Sequence, residues 1–169
     1  MTRKSLLRTL AAAAACLILG AAAPSFGPPW ISIETPPNPF DRESKGALLV
    51  VHTFHHGTPI ASGVTGTAEG IVSGARRSVA LSFQSTSRPG SYVLRKQWPA
   101  DGVWMLVINT GGHTGGATAL VDLSASGEVS RVQVPARQNG DWLIPQPVSA
   151  RDIDAALAVR ATSASLSTR

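Results

Sequence analysis

Three of the four histidines in this 169-residue sequence fall within five positions, in the run Val51-His52-Thr53-Phe54-His55-His56-Gly57. Neutral imidazole is a good ligand for zinc, copper and nickel. The fourth, His113, lies in the glycine-rich stretch Thr110-Gly111-Gly112-His113-Thr114-Gly115-Gly116. In an extended strand His52 and His56 share a face but lie about 13 Å apart at ~3.3 Å per residue, while His55 points the other way, so the three cannot hold one ion. A centre forms only if the strand ends near His55 and the turn His56-Gly57-Thr58-Pro59 folds one ring back. His113 is then the partner from elsewhere, with Glu69 of Thr67-Ala68-Glu69-Gly70, or His52, to complete a copper or zinc set. If strands beginning near 47, 64, 77, 91 and 102 simply alternate in direction, the first and fifth finish at the same end and His113 can approach His55 and His56. One extra strand between them reverses that parity. A metal site takes three or four donors at about 2.0–2.2 Å, and only two or three are in view. The plainer reading therefore weighs more: His52 is a half-buried strand residue, His55 and His56 are solvated at a strand end, His113 is a loop residue and Glu69 is a solvent-facing strand carboxylate.

Other chemistries find less support. No Gly-x-Ser-x-Gly elbow exists for a serine nucleophile. Asp152 and Asp154 are two apart on an expected helix and do not face each other, which makes a poor acid and base pair. The loop from Gly111 to Gly116 lacks the Gly-Lys-Ser/Thr ending of a phosphate cradle and joins two expected strands instead of opening a helix, so it reads as a connector. Arg76-Arg77, with Arg88 and Arg95, makes a modest basic strip of the kind that guards a sheet edge.

Composition narrows the class. The formal net charge is +5, yet Arg3, Lys4 and Arg8 stand in the first 22 residues with no acid beside them, leaving twelve basic against ten acidic residues and a net +2 downstream. That is no clustered cationic surface, which excludes a nucleic-acid or polybasic membrane reading. Residues 1–22 have the three parts of a secretory signal: the basic start, an apolar stretch from Leu10 to Leu19, and the small residues Gly20, Ala21 and Ala22. Cleavage is expected near Ala22. An uncleaved anchor is the alternative, but Thr9 to Ala23 falls short of the ~20 apolar residues a spanning helix needs. A lipoprotein reading through Cys16 lacks the leucine expected three residues before it. Removal of the leader takes Cys16, the only cysteine, with it, leaving no disulfide, thiolate ligand or cysteine nucleophile. The expected location is the periplasm or cell exterior, with membrane contact only through the leader if it stays on.

The elements that must position any site are strands. Prolines bracket Trp30 to Glu34, the mark of a short edge strand within a proline-rich segment, 23–45. From Gly46 to 148, runs rich in valine, isoleucine, leucine and threonine recur every 8 to 15 residues, near 47–55, 64–72, 77–84, 91–97, 102–109, 116–123 and 128–134. Leu48 to Val51 and Val103 to Ile108 are apolar on both faces and are expected as central strands. Ser73-Gly74, Arg88-Pro89-Gly90, Asp101-Gly102 and Ser126-Gly127 supply the turns. Ser149 with Asp152 starts a short helix over 149–160, and 161–169 reads as a frayed tail.

The stretch Pro89-Gly90-Ser91-Tyr92-Val93-Leu94, followed by Trp98-Pro99-Ala100-Asp101-Gly102-Val103-Trp104-Met105-Leu106-Val107, resembles the hairpin of small exported immunoglobulin-like sandwiches such as YtkA-like and FixH-like domains, over about residues 46–108. The resemblance implies an antiparallel sandwich facing the periplasm or exterior and carries no catalytic residues to transfer. FixH-like proteins are linked to copper-oxidase assembly and usually keep a membrane anchor, which this leader is too short to supply. Read from the residues alone, Tyr92, Trp104 and Phe83 fill the core, with the Tyr92 hydroxyl reaching a backbone partner as in a tyrosine corner.

The expected protein is thus an all-β, immunoglobulin-like antiparallel β-sandwich with a short C-terminal helix and an N-terminal signal peptide. Its expected role is non-enzymatic binding or scaffolding of an envelope protein or ligand through the loops holding Gly57, Thr58, Gly112 and Thr114 at one end. The alternative is copper or zinc handling by His55, His56, His113 and Glu69.

Overall fold

The computed structural model describes residues 28–111 and 116–167. The leader, with its cleavage site, and Gly112, His113 and Thr114 lie outside the described residues.

Two antiparallel sheets share one core. The first holds β1 (Trp30–Glu34), β2 (Leu49–His55), β7 (Ser91–Leu94) and β6 (Gln84–Ser85) in that order, with β3 (Thr58–Pro59) paired to β2. The second runs β10 (Val129–Gln133), β9 (Thr118–Leu123), β8 (Val103–Thr110), β4 (Val64–Val72) and β5 (Ala75–Ala80). Alternation decides the inner faces: Ile31, Leu49, Val51 and Leu94 from the first sheet meet Ala68, Trp104, Leu106, Ile108, Ala119 and Val121 from the second. Each leucine, isoleucine or valine among them contributes about 1.5–3 kcal/mol by leaving water. Trp104 belongs to this core, and Phe83 and Tyr92 pack half-buried against it. The Tyr92 hydroxyl donates to the Ser62 carbonyl at 2.7 Å.

The described part of the proline-rich segment, from residue 28, is not separate from the sandwich. β1 places Ile31 wholly inside the core, because its alternation matches the inner face of β2 in the register Ile31↔Thr53 and Ile33↔Val51. The expected strand at 77–84 divides into the end of β5 and the start of β6, which belong to different sheets, so the chain crosses over at Leu81 to Phe83.

Both central strands are covered on their outer faces too. Val50 and Val93 are cross-strand neighbours on the outer side of the first sheet and are buried. The 35–47 connection is tied to the turn before β7, where Arg88 donates to Asp41 at 2.5 Å and Ser87 donates to Glu43 at 2.8 Å. The second sheet is covered by α1 (Ala150–Ser167), which rests on β8 and β4 and buries Leu157 where Met105 and Val107 are also buried. Ser149 and Asp152 cap the helix reciprocally, the Ser149 hydroxyl donating at 2.7 Å and the Asp152 amide donating back at 3.3 Å. These bonds from Ser149 hold the Asp152 carboxyl below its ordinary pKa. The helix continues past residue 160 to Ser167, where a frayed tail was expected. Alanines recur through that stretch and neither proline nor glycine interrupts it.

Outside both sheets stands a hairpin, β11 (Ala136–Asn139) and β12 (Trp142–Pro145). Its two-residue loop is Gly140-Asp141, with Gly140 at φ 59°, the positive value that the first position of a type II′ turn requires.

Candidate functional site

β2 ends at His55, and His56-Gly57 turns the chain straight into β3, with His55 paired to Thr58 and Phe54 to Pro59. His56 at φ 49° and Gly57 at φ 76° make this a two-residue loop of the type I′ kind. The geometry folds one imidazole against the next: the rings of His55 and His56 meet edge to face with centroids 4.2 Å apart.

The other residues considered for a metal centre go elsewhere. His52 faces the outer side of the first sheet, where its Nε2 lies 2.9 Å from Glu34 Oε2 on the neighbouring strand. That hydrogen bond is the main reason the Glu34 carboxyl is held below its ordinary pKa, with the Asn38 amide and the Arg88 charge adding to it against the cost of burial. Glu69 was expected to face solvent. It is instead 8% exposed, on the outer side of the second sheet, because α1 covers that side and Arg76 reaches in from β5 to pair with it. Burial on its own would raise the Glu69 pKa. Hydrogen bonds from Thr67, Ser78 and Arg76, with the Arg76 charge, outweigh it and bring the carboxyl below its ordinary value. Glu69 is thus separated from the His55-His56 turn by the thickness of the sandwich. Among the described residues no three histidine, cysteine, aspartate or glutamate side chains gather to hold a metal ion.

The parity of the strands does place β8 and β2 so that they finish at the same end. Ala117, at the start of the return from β8 to β9, donates its amide to the Pro29 carbonyl, and Trp30 next to it pairs with Phe54 at the end of β2. Gly111 is held there by the Ser62 hydroxyl at 3.1 Å.

At this end of the molecule lies a groove of about 680 Å³ between the His56-Gly57 turn, the start of β1 and the β11–β12 hairpin. Trp30 forms one wall. Trp142, Leu143 and Ile144 form the other, with Pro28 and Pro145 at its ends and the two imidazoles on its rim. Trp142 is 71% exposed and Leu143 is 59% exposed, so a large apolar area faces water here. Asn139 is the remaining polar side chain along the groove, and among the described residues no aspartate, glutamate, lysine or arginine lines it.

Sequence reasoning found the His55 to Thr58 side of this groove and missed the other. Ala136 to Asn139 alternates no apolar residues, so nothing marks it as a strand. The usable signal was the Gly140-Asp141 turn followed by Trp142-Leu143-Ile144.

Compared with known proteins, the chain matches no family model, no curated protein and no solved structure. Among the described residues no helix is long and apolar enough to cross a membrane.

Proposed function

We propose that this chain is an exported, non-enzymatic binding module of the periplasm or cell envelope, built on an immunoglobulin-like sandwich, whose contact surface is the groove end. One observation carries the reading: two tryptophans and a run of aliphatic side chains line an open groove at one end of the two-sheet body. Solvated apolar area of that kind is characteristic of a surface that meets a partner. The immunoglobulin-like part draws on the Tyr92 hydroxyl bonded to the Ser62 carbonyl, which resembles a tyrosine corner, and on the likeness of residues 46–108 to YtkA-like and FixH-like domains. Export rests on the three-part leader.

The test is capture from an envelope fraction by the protein carrying Trp142 or Trp142→Ala. Loss of the captured partner with the variant supports the reading, and an unchanged partner set defeats it. In the same preparation, an amino terminus at or next to residue 23 supports export with cleavage.

A second reading, copper or zinc handling, is favoured by the packed imidazoles of His55 and His56. Two donors from one turn fall short of the three or four such a site takes, and His113 lies outside the described residues. Calorimetric titration with Cu(II) and Zn(II) decides it: saturable binding lost in His56→Ala supports the reading, and no binding tighter than micromolar removes it.

A further inference from the structure

We propose that Asn139-Gly140 is a self-modifying site, at which the backbone nitrogen of Gly140 displaces ammonia from the Asn139 side chain and leaves a carboxyl group on the groove. The chain holds three asparagines, and their surroundings differ. Asn38 precedes Pro39, whose nitrogen carries no hydrogen to lose and so cannot close a neutral imide. Its Oδ1 also accepts the Phe40 amide at 3.0 Å. Asn109 stands half-buried in β8, between β4 and β9, and its Oδ1 accepts the Thr118 hydroxyl at 2.7 Å. Asn139 is exposed at the last pair of the β11–β12 hairpin, and its side-chain amide makes no hydrogen bond among the described residues. Gly140 accepts the Gln138 side-chain amide on its carbonyl at 2.6 Å, while its own N–H donates to no described residue. Space is open as well. Nothing lies within 4 Å of the Gly140 Cβ position, and with no side chain there the nitrogen is unshielded.

The reaction is an intramolecular substitution, so nucleophile and carbonyl need no encounter. The Gly140 nitrogen, after losing its proton to solvent base, bonds to Asn139 Cγ and closes a five-membered imide. The Cγ–Nδ2 bond breaks, and that nitrogen leaves as ammonia after taking a proton from water. Water then opens the imide, its OH going to a carbonyl carbon and its hydrogen to the ring nitrogen. Opening at Cγ gives aspartate. Opening at the backbone carbonyl carbon gives isoaspartate, in which the chain runs through Cγ. Nothing is oxidised or reduced, and no cofactor takes part. Backbone conformation sets the rate: the extended geometry of a strand turns the Gly140 nitrogen away from Cγ, so Asn139 must leave that geometry to react. What holds it is the pair with Trp142, in a hairpin bonded to neither sheet. Such a hairpin is marginal alone, and the glycine that follows eases the turn out of the strand. Asn109, inside a central strand, has no such freedom. The product alters the groove, because a carboxylate then stands with Trp142 and the imidazoles of His55 and His56, where no described acidic side chain stood.

The test incubates the purified protein at neutral and at mildly alkaline pH, digests it with trypsin and follows each asparagine peptide by mass spectrometry, with a zero-time sample to subtract conversion during digestion. Asn139 is expected to convert at least about tenfold faster than Asn109, because the hairpin opens at a small fraction of the free energy that opening β8 requires. The rate is expected to rise at the higher pH, where more of the Gly140 amide is deprotonated. Isoaspartyl methyltransferase is expected to label the same peptide, since the imide opens to both products whereas direct hydrolysis of the side-chain amide gives aspartate alone. Asn139→Gln, which requires a six-membered ring, is expected to lose both signals, and the position is exposed, so the change leaves the fold intact. Equal rates at Asn139 and Asn109 overturn the proposal, as does aspartate formed without isoaspartate. So does an Asn139 that stays unaltered in the native protein while it converts in the same protein held in urea.

Discussion

Gly70 lacks a side chain for a reason found across the strand. It is paired with Trp104 in the β4–β8 register, and a Cβ built on it meets Trp104 Cε3 at 2.4 Å, with two further ring atoms inside 3 Å. The indole cannot retreat, since its N–H is tied to the Asp101 carbonyl and its ring belongs to the core. Gly70→Ala is therefore an overpacking change, expected to lower the unfolding free energy by about 1–3 kcal/mol. Gly63 supplies the contrast: nothing lies within 4 Å of its Cβ position and its φ is not in the left-handed region. Gly63→Ala is expected to move stability by less than about 0.5 kcal/mol in either direction, as surface changes do. Urea midpoints of the two variants measured side by side check this, and equal midpoints defeat the packing account.

Among the elements, those with a strong period were legible and those held by tertiary contact were not. β4 at Val64–Val72 and β8 at Val103–Thr110 follow from β-branched and aliphatic runs closed by turn residues, and the cap at Ser149 and Asp152 announces α1. β11 is polar throughout apart from Ala136, and its strand conformation comes from pairing with β12. The groove was half legible for the same reason. The role of Glu69 was hidden because Arg76, seven residues away, meets it only once β4 and β5 have paired, and because α1 then closes over both. Arg76 also reaches Asp154 at 3.1 Å, and Arg160 pairs with Asp122 at 3.0 Å while donating to the Leu123 carbonyl, so charged side chains pin the helix to the sheet at two places. An acid titration follows from this docking. The folded-state pKa of Glu69 lies below the ordinary value of 4.5, so its contribution to stability is fully present above 4.5 and is lost as pH falls through the lower folded-state value. Glu69→Gln is expected to be less stable at pH 7 by on the order of 1–2 kcal/mol and to lose less on acidification than the parent. Unfolding free energies between pH 7 and pH 3 measure both, and parallel acid limbs would show that Glu69 contributes nothing there.

At the scale of the whole molecule, the groove joins parts of unequal stability. One wall, Trp30, belongs to β1, which is anchored in the shared core by Ile31. The other wall belongs to β11–β12, which is paired only with itself and leaves Trp142 and Leu143 in water. A two-stranded hairpin is at best marginally stable alone, and local opening is easiest where few apolar groups are buried. Amide hydrogens of residues 136–145 are therefore expected to exchange well before those of β8, which is hydrogen-bonded on both sides by β4 and β9 and buried on both faces. A ligand seated between the walls binds only the closed arrangement, so it favours that arrangement by mass action and slows exchange in the hairpin without changing exchange in β8. Exchange followed by mass spectrometry, on the free protein and on the protein saturated with the partner captured through Trp142, reads both parts of this expectation. Matching protection of the hairpin and β8 in the free protein would mean that the wall is as fixed as the core. Protection gained on β8 and not on 136–145 would place the ligand somewhere other than this groove.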